Sequence, residues 1–412
     1  MNTLANYKNY MRPTRTVKET IFLNSLLTVL IYICIADIFL YGAIFLENSS
    51  LQLMLIGIKA MLSLIGVVLV FGNLNSIIKV GWCALLILFF IPYVIHLSGL
   101  EYFCNTISFL GILTILPYVA IRKRTIKILL AFWFLYMVFM VVFTKSSRNF
   151  VNNHWFINPN LSSIMIFLTI FVVFCFIKVK YHKFKLRIVL LMIALTILQL
   201  TYKGRSALIG TFLVFVNMLF PKLERKLNAR KCCRLTFFIH TLSVCFVAFY
   251  SITLFKIIGK GNLYIMGKDI FTGRQMIWQD AFSQLSGNWL FGIGNRLRSM
   301  KIYGNLFTNL HNQSMGYLVT FGLLAFISYV LLLSSLIKNL YKKNYVLVAI
   351  FILILSLMAY FETLLYSSDN IRYILPILVV IGYFDKKNKR SSKVEEGYSL
   401  LLVRDFKKVA QN

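Results

Sequence analysis

Charge is what this sequence has least of. Only 14% of its 412 residues are Asp, Glu, Lys or Arg, against about 25% in soluble domains. Acidic residues number 13 against 44 basic ones, so carboxylates available for chemistry are few. No DxD pair stands in a long polar stretch, and nothing argues for a metal-dependent transferase that uses a nucleotide sugar. The 7 cysteines form no framework. Cys34, Cys83, Cys175 and Cys245 lie in apolar runs, Cys104 near the end of one, and Cys232–Cys233 in a basic loop. Their spacing suits no metal, and all read as structural. No cleavable signal pattern is expected, because the first apolar run follows a polar start and is too long. No internal repeat is visible, which argues weakly against an inverted-repeat transporter.

What is present is apolar surface. Hydrophobic residues make up 59% of the chain and aromatics 16%, and the mean hydropathy is +0.77. These values identify an integral membrane protein. Twelve runs are of a length to cross the hydrocarbon, which takes about 20 residues. They lie near 20–42, 51–71, 80–98, 102–121, 126–143, 160–177, 188–202, 206–220, 235–258, 314–337, 345–364 and 371–384. The expected fold is all-α and polytopic, with about twelve transmembrane helices spanning 1–384 and a basic cytoplasmic tail over 385–412.

The net charge of +31 would suggest nucleic acid in a soluble protein. Its placement gives another meaning. With alternate connections assigned to alternate sides, 31 of the 44 cations fall on one side. The positive-inside rule makes that side cytoplasmic, along with both termini. The excess then serves topology and contact with anionic lipid, and no nucleic acid is implied. Two outer connections are long: 144–159, polar and aromatic, and the large extracytoplasmic loop 259–313.

The candidate chemistry gathers on that outer side. TYKGRS at 201–206 places Lys203 and Arg205 between two spans with almost no connection. A guanidinium there can grip a phosphate with paired donors, although both cations can also simply snorkel. In the large loop, Ile277, Trp278, Ala281, Phe282 and Leu285 fall on one face of a helix, with Gln275, Gln279, Ser283 and Gln284 opposite. Thr272 is a plausible N-cap and Gly287 a stop. Arg274 sits in the first turn, where it opposes the helix dipole unless an anion is bound. FGIGN at 291–295 reads first as a tight turn, and Arg296, Arg298 and Lys301 follow it. His311–Asn312 stands just before the 314–337 span, and a histidine there can act as base or acid. Asp37 and Glu362 lie near outer ends of spans, where an ionisable group is costly unless paired or wet. Either can pair with an outer arginine such as Arg372, or serve as a base.

Together these residues resemble the family of Wzy-type polysaccharide polymerases and O-antigen ligases. The likeness rests on GRxxxW (Gly273, Arg274, Trp278), LFGIGN at 290–295 and HNxxxxYLVTFG at 311–322, in that order before a late span. GRS at 204–206 and NPN at 158–160 agree with it. The resemblance implies a GT-C-like helical fold in a bacterial inner membrane and an inverting, metal-independent glycosyl transfer on its extracytoplasmic face, with no cofactor. Donor and acceptor would be undecaprenyl-diphosphate-linked oligosaccharides. It assigns Arg205 and Arg274 to the departing diphosphate and His311 to activating or orienting the acceptor hydroxyl. Lys203, Arg298, Arg372, Asn312 and Trp278 would line the substrate. A flippase and a chain-length regulator of the same pathway would be partners.

The motifs are shared between polymerase and ligase, and polymerase is preferred only because that group is the more varied. A flippase for lipid-linked oligosaccharide also commonly has about twelve spans. It would favour short loops and charges inside the bundle, against the long loop seen here. A non-catalytic membrane partner of an assembly complex stays open.

Overall fold

In hydrocarbon a backbone must satisfy its own hydrogen bonds, so each long apolar run is driven into helix. The computed structural model describes residues 17–43, 49–96, 98–146, 159–180, 186–202, 204–249, 264–265, 268–269, 274–294, 300–302, 305–307, 310–362, 364 and 370–388. Its longer helices are α1 (Val17–Asp37, continued by a π-helical turn Ile38–Ala43), α2 (Ser49–Val70), α3 (Ser76–His96) and α4 (Leu100–Ile115). They continue with α5 (Lys123–Ser146), α6 (Pro159–Lys180), α7 (Leu186–Thr201), α8 (Arg205–Leu219), the short α9 (Pro221–Lys226) and α10 (Ala229–Phe249). The last are α11 (Arg274–Leu285), α12 (Gln313–Lys342), α13 (Val346–Met358) and α14 (370–388). Among the described residues, seven helices are long and apolar enough to cross a membrane: α1 to α4, α6, α10 and α12. The protein is a multi-pass helical membrane protein.

Each of the twelve apolar runs overlaps one of these helices, and 250–258 of the ninth run lie outside the described residues. Several boundaries differ from expectation. Helix α13 ends at Met358 rather than near 364. Helix α10 begins at Ala229, so Cys232 and Cys233 are helical rather than in a loop. Helix α14 continues to 388, so the first residues assigned to the tail belong to the bundle. Asp385 there accepts the backbone N–H groups of Leu347 and Val348 at 3.0 and 2.9 Å and so caps α13. Within 259–313 the described residues form α11 and two antiparallel ribbons. In these, β1 (Tyr264–Ile265) pairs with β2 (Lys268–Asp269), and β3 (Met300–Ile302) with β4 (Asn305–Phe307).

One end of the bundle is basic and tightly tied. The Tyr341 hydroxyl donates to Leu227 O at 2.8 Å, Tyr345 to Leu116 O at 3.2 Å, and the Lys386 ammonium to Val119 O at 2.8 Å. Lys343 lies over the Tyr118 ring, and Lys178 pairs with Glu224. At the opposite end three helices stop short. Helices α7, α8 and α13 have 16, 15 and 13 residues, or about 24, 22 and 20 Å at 1.5 Å per residue. The hydrocarbon core is about 30 Å thick. These three helices are shorter than that thickness.

Helix α12 adds a second device. In a straight helix Gln313 and Tyr329 would stand about 24 Å apart along the axis. Here the Gln313 amide donates to the Tyr329 hydroxyl at 3.0 Å, and the Tyr317 and Tyr329 rings are 4.1 Å apart. The chain doubles back at Gly322, whose φ of 84° and ψ of 176° only glycine adopts readily. The run expected as one straight span is therefore a helical hairpin, with a short limb ending at Phe321 and a long limb from Leu323 to Lys342.

The bend is held by the FGIGN segment, which does more than turn. Ile293 N–H donates to Val319 O at 2.8 Å, Gly294 N–H to Thr320 O at 3.1 Å and Leu323 N–H to Trp289 O at 2.8 Å. Backbone meets backbone here. A Cβ on Gly322 would stand 2.2 Å from Leu290 O, and one on Gly292 would stand 2.6 Å from Val319 O. His96, at the end of α3, donates to Gly292 O at 3.0 Å and pins the same segment from outside.

Away from this region, Asp37 and Lys59 form a buried pair at 2.5 Å, with Arg372 Nε at 4.0 Å from the second Asp37 oxygen. Removing two charges from water is costly, and only close pairing offsets it. The triad fastens α1, α2 and α14 together.

Candidate functional site

The fold-back of α12 and the short helices bring His311, Arg274 and Arg205 to one place. His311 precedes the short limb of α12 with a left-handed φ of 49°, a conformation that side chains resist unless their surroundings hold them there. Four bonds supply that hold. The Asn312 side chain accepts Met315 N–H at 2.9 Å and donates to Ser243 Oγ on α10 and Tyr360 O at 2.9 and 3.0 Å. The Gln313 N–H donates to Ala359 O at 3.0 Å. Beneath lies His240 of α10, with Ser314 Oγ 2.9 Å from Nδ1 and Ser356 Oγ 3.2 Å from Nε2. This polar layer cross-braces α10, α12 and α13 directly under His311.

Glu362, just past the end of α13, is the hub. Its Oε1 lies 3.4 Å from Arg274 Nη2 and its Oε2 lies 3.6 Å from His311 Nδ1. The carboxylate so placed turns the Nε2 side of the imidazole away from itself. Arg274 is also anchored by Nη1, which donates to Phe361 O at 2.8 Å. Burial lowers the proton affinity of its guanidinium; the Glu362 carboxylate opposes that, and the nearby Arg205 charge adds to it. An arginine remains cationic through such a shift. Arg205 itself is exposed.

Backbone dipoles reinforce them. Helix α8 starts at Arg205 and α11 at Arg274, neither has an acid in its first turn, and no side chain caps α8. Two helix N-termini therefore present partial positive charge beside two arginines, an arrangement suited to an anion. The Ser206 hydroxyl, in the same first turn, is buried with no hydrogen-bond partner among the described residues.

The site is recessed. Ser163 Oγ donates to Gly204 O at 3.3 Å, and Ser163 stands one turn, about 6 Å, inside the start of α6. Ser243, the partner of Asn312, lies six residues before the end of α10, or about 9 Å inward.

Helix α11 follows its expected pattern: Ile277, Trp278, Ala281, Phe282 and Leu285 are buried and Gln279 and Ser283 exposed. Trp278 is wholly buried, and its indole N–H donates to Leu310 O at 2.8 Å, so it supports the loop before His311. Asn312 is likewise buried, as the cap of α12. Arg372 sits with Asp37. Lys203, Arg296, Arg298, Gly273 and Thr272 lie outside the described residues, and Lys301 is placed only by its backbone in β3. Among the described residues no three His, Cys, Asp or Glu side chains gather as metal ligands. Sequence reasoning missed His240 altogether; a histidine inside an apolar run was the available signal. Comparison with protein-family models and with curated protein sequences finds no match to this chain.

Proposed function

We propose that this protein is an extracytoplasmic polymerase of polyprenyl-diphosphate-linked oligosaccharide repeats, working by inverting glycosyl transfer. The observation that carries the reading is the meeting of Arg274 and His311 at Glu362, with Arg205 beside Arg274, where two helices present their N-termini. In this reading all twelve runs span the membrane, both termini are cytoplasmic and 259–313 covers the site from outside, as the cation distribution requires. The membrane is the bacterial inner membrane, and the product is a surface polysaccharide.

The chemistry follows from charge. The acceptor hydroxyl oxygen forms a bond to the anomeric carbon of the donor while that carbon's bond to the diphosphate oxygen breaks. The leaving diphosphate gains negative charge, which Arg205, Arg274 and the first turns of α8 and α11 stabilise. The proton from the acceptor passes to His311 Nε2, with Glu362 at Nδ1 holding the ring and favouring the cation that forms.

The test is a strain lacking the protein, with its lipid-linked saccharides sized beside the parent's. Single repeats on lipid, with no long chains, are expected. Long lipid-linked chains that never reach a final acceptor would make it a ligase, and repeats confined to the cytoplasmic face would make it a flippase. Complementation with Arg205→Ala, Arg274→Ala or His311→Ala should leave the defect while the protein still reaches the membrane. Wild-type chain length from all three would end the assignment.

A further inference from the structure

The long limb of α12 does not sit flush in the bundle surface. A groove of about 710 Å³ runs between it and α10, and a second of about 560 Å³ between it and α3. Leu331 and Ser335 line both, so the two grooves straddle one ridge, and Leu331 on its crest is 50% exposed. The second groove extends from Ser76 to Leu88 along α3. Those twelve residues span about 18 Å, close to one leaflet's half of a hydrocarbon core about 30 Å thick.

Charge is confined to one end. Lys231 and Arg234, in the first turns of α10, line the first groove together with Phe237 and Phe238, and no acidic residue lines either groove. Lys231 already donates to Lys226 O at 2.9 Å, which leaves two of its three ammonium donors. Ser334 lines the first groove and Ser328 the second; both are buried, and neither hydroxyl has a hydrogen-bond partner among the described residues. A soluble anion would gain nothing from walls of Phe and Leu. A molecule with two long apolar chains and one anionic head matches both grooves and the cations together.

We propose that this face is a binding site for one anionic phospholipid of the leaflet at the basic end. Its phosphate meets Lys231 and Arg234, and its two acyl chains lie on either side of the Leu331 ridge. The site does not depend on the glycosyl-transfer reading. It lies on the limb of α12 opposite the one that carries His311.

The test is native mass spectrometry of the full chain in detergent, titrated with phosphatidylglycerol or with phosphatidylcholine of the same acyl chains. Wild type should retain one tightly held phosphatidylglycerol that phosphatidylcholine does not replace. Each cation at a lipid surface contributes enough that losing two weakens binding roughly 30-fold. That loss is expected in Lys231→Gln/Arg234→Gln. It is not expected in Lys222→Gln/Arg230→Gln, which removes the same charge from exposed positions outside the grooves. Ser335→Trp, which fills the junction and leaves both cations in place, should also lose the lipid. Equal retention by the Lys231/Arg234 variant, or equal loss in the control, would overturn the site. A dimer mass without lipid would instead give the face to a second copy of the chain.

Discussion

Replacing Glu362 by Gln tests the site most sharply, because it removes one charge and almost no volume. Its two oxygens face Arg274 and His311 at 3.4 and 3.6 Å. The amide keeps the shape but no longer balances the arginines, and the site goes from one net positive charge to two. Each negative charge of a diphosphate about 7 Å away, at an effective dielectric near 20, would be freed of roughly 2 kcal/mol of repulsion, or about 30-fold in affinity per charge. Catalysis moves the other way. Without a carboxylate at Nδ1 the imidazole loses its orientation and the stabilisation of its cation, and positioned acid–base groups contribute about 10²- to 10⁴-fold. The expected signature of E362Q is thus a fall in kcat of about 100-fold or more with a donor KM unchanged or lower. Arg274→Ala should instead raise KM. The assay uses purified protein with the lipid-linked repeat extracted from the deletion strain, following chain growth by gel. An E362Q protein with normal turnover, or one that fails only by weaker donor binding, would refute the assignment of Glu362 to His311.

Three further outcomes follow from the fold. Gly322→Ala places a methyl group 2.2 Å from Leu290 O, in a backbone region that costs a side chain about 1–3 kcal/mol even without the clash; a normal melting temperature in detergent would disprove the hairpin. Asp37→Asn leaves Lys59 buried beside Arg372 and should cost about 3–5 kcal/mol, much of it recovered by Asp37→Leu/Lys59→Met, because apolar replacement of a buried pair is tolerated better than breaking it; a double-mutant cycle showing no coupling would count against the pair. His240→Leu strands Ser314 and Ser356 at about 1–3 kcal/mol each, so the melting temperature should fall, whereas His240→Gln, which keeps a donor and an acceptor, should fall less; identical melting of both variants and wild type would remove the brace.

Much of the scaffold was legible because lipid enforces helix wherever an apolar run is long enough. The face of α11 could also be read, since a 3.6-residue period is visible in Ile277, Trp278, Ala281, Phe282 and Leu285. The hairpin in α12 could not. Hydropathy over 314–337 is uniform, and one glycine inside a run is ordinarily a tolerated helix residue rather than a reversal. The same blindness hid the meaning of FGIGN, whose glycines answer to a backbone from a different segment. Charge partners were only half legible. Asp37 and Glu362 were marked as ionisable groups that need company, but composition cannot say that one chooses Lys59 and the other Arg274 and His311. The placing of Arg205, Arg274 and His311 in one reaction came from resemblance, and their spatial meeting is what gives it a physical basis.

The recess carries the last step. A glycosyl donor with a good leaving group is open to attack by water as well as by sugar, and selectivity requires that bulk water be thinned where the anomeric carbon reacts. Solvent dielectric weakens the hold of a cation on a diphosphate. With α8 of 15 residues and α13 of 13, and α12 doubled back at Gly322, Gly204 meets Ser163 about 6 Å inside the described start of α6, and Asn312 meets Ser243 about 9 Å inside the described end of α10. In the proposed reaction a lipid diphosphate would reach that depth because its own anchor lies in the bilayer. The polar ends of two oligosaccharides would enter from the other side. The short spans that look like weak transmembrane signals are, on this account, the feature that sets the depth of the chemistry.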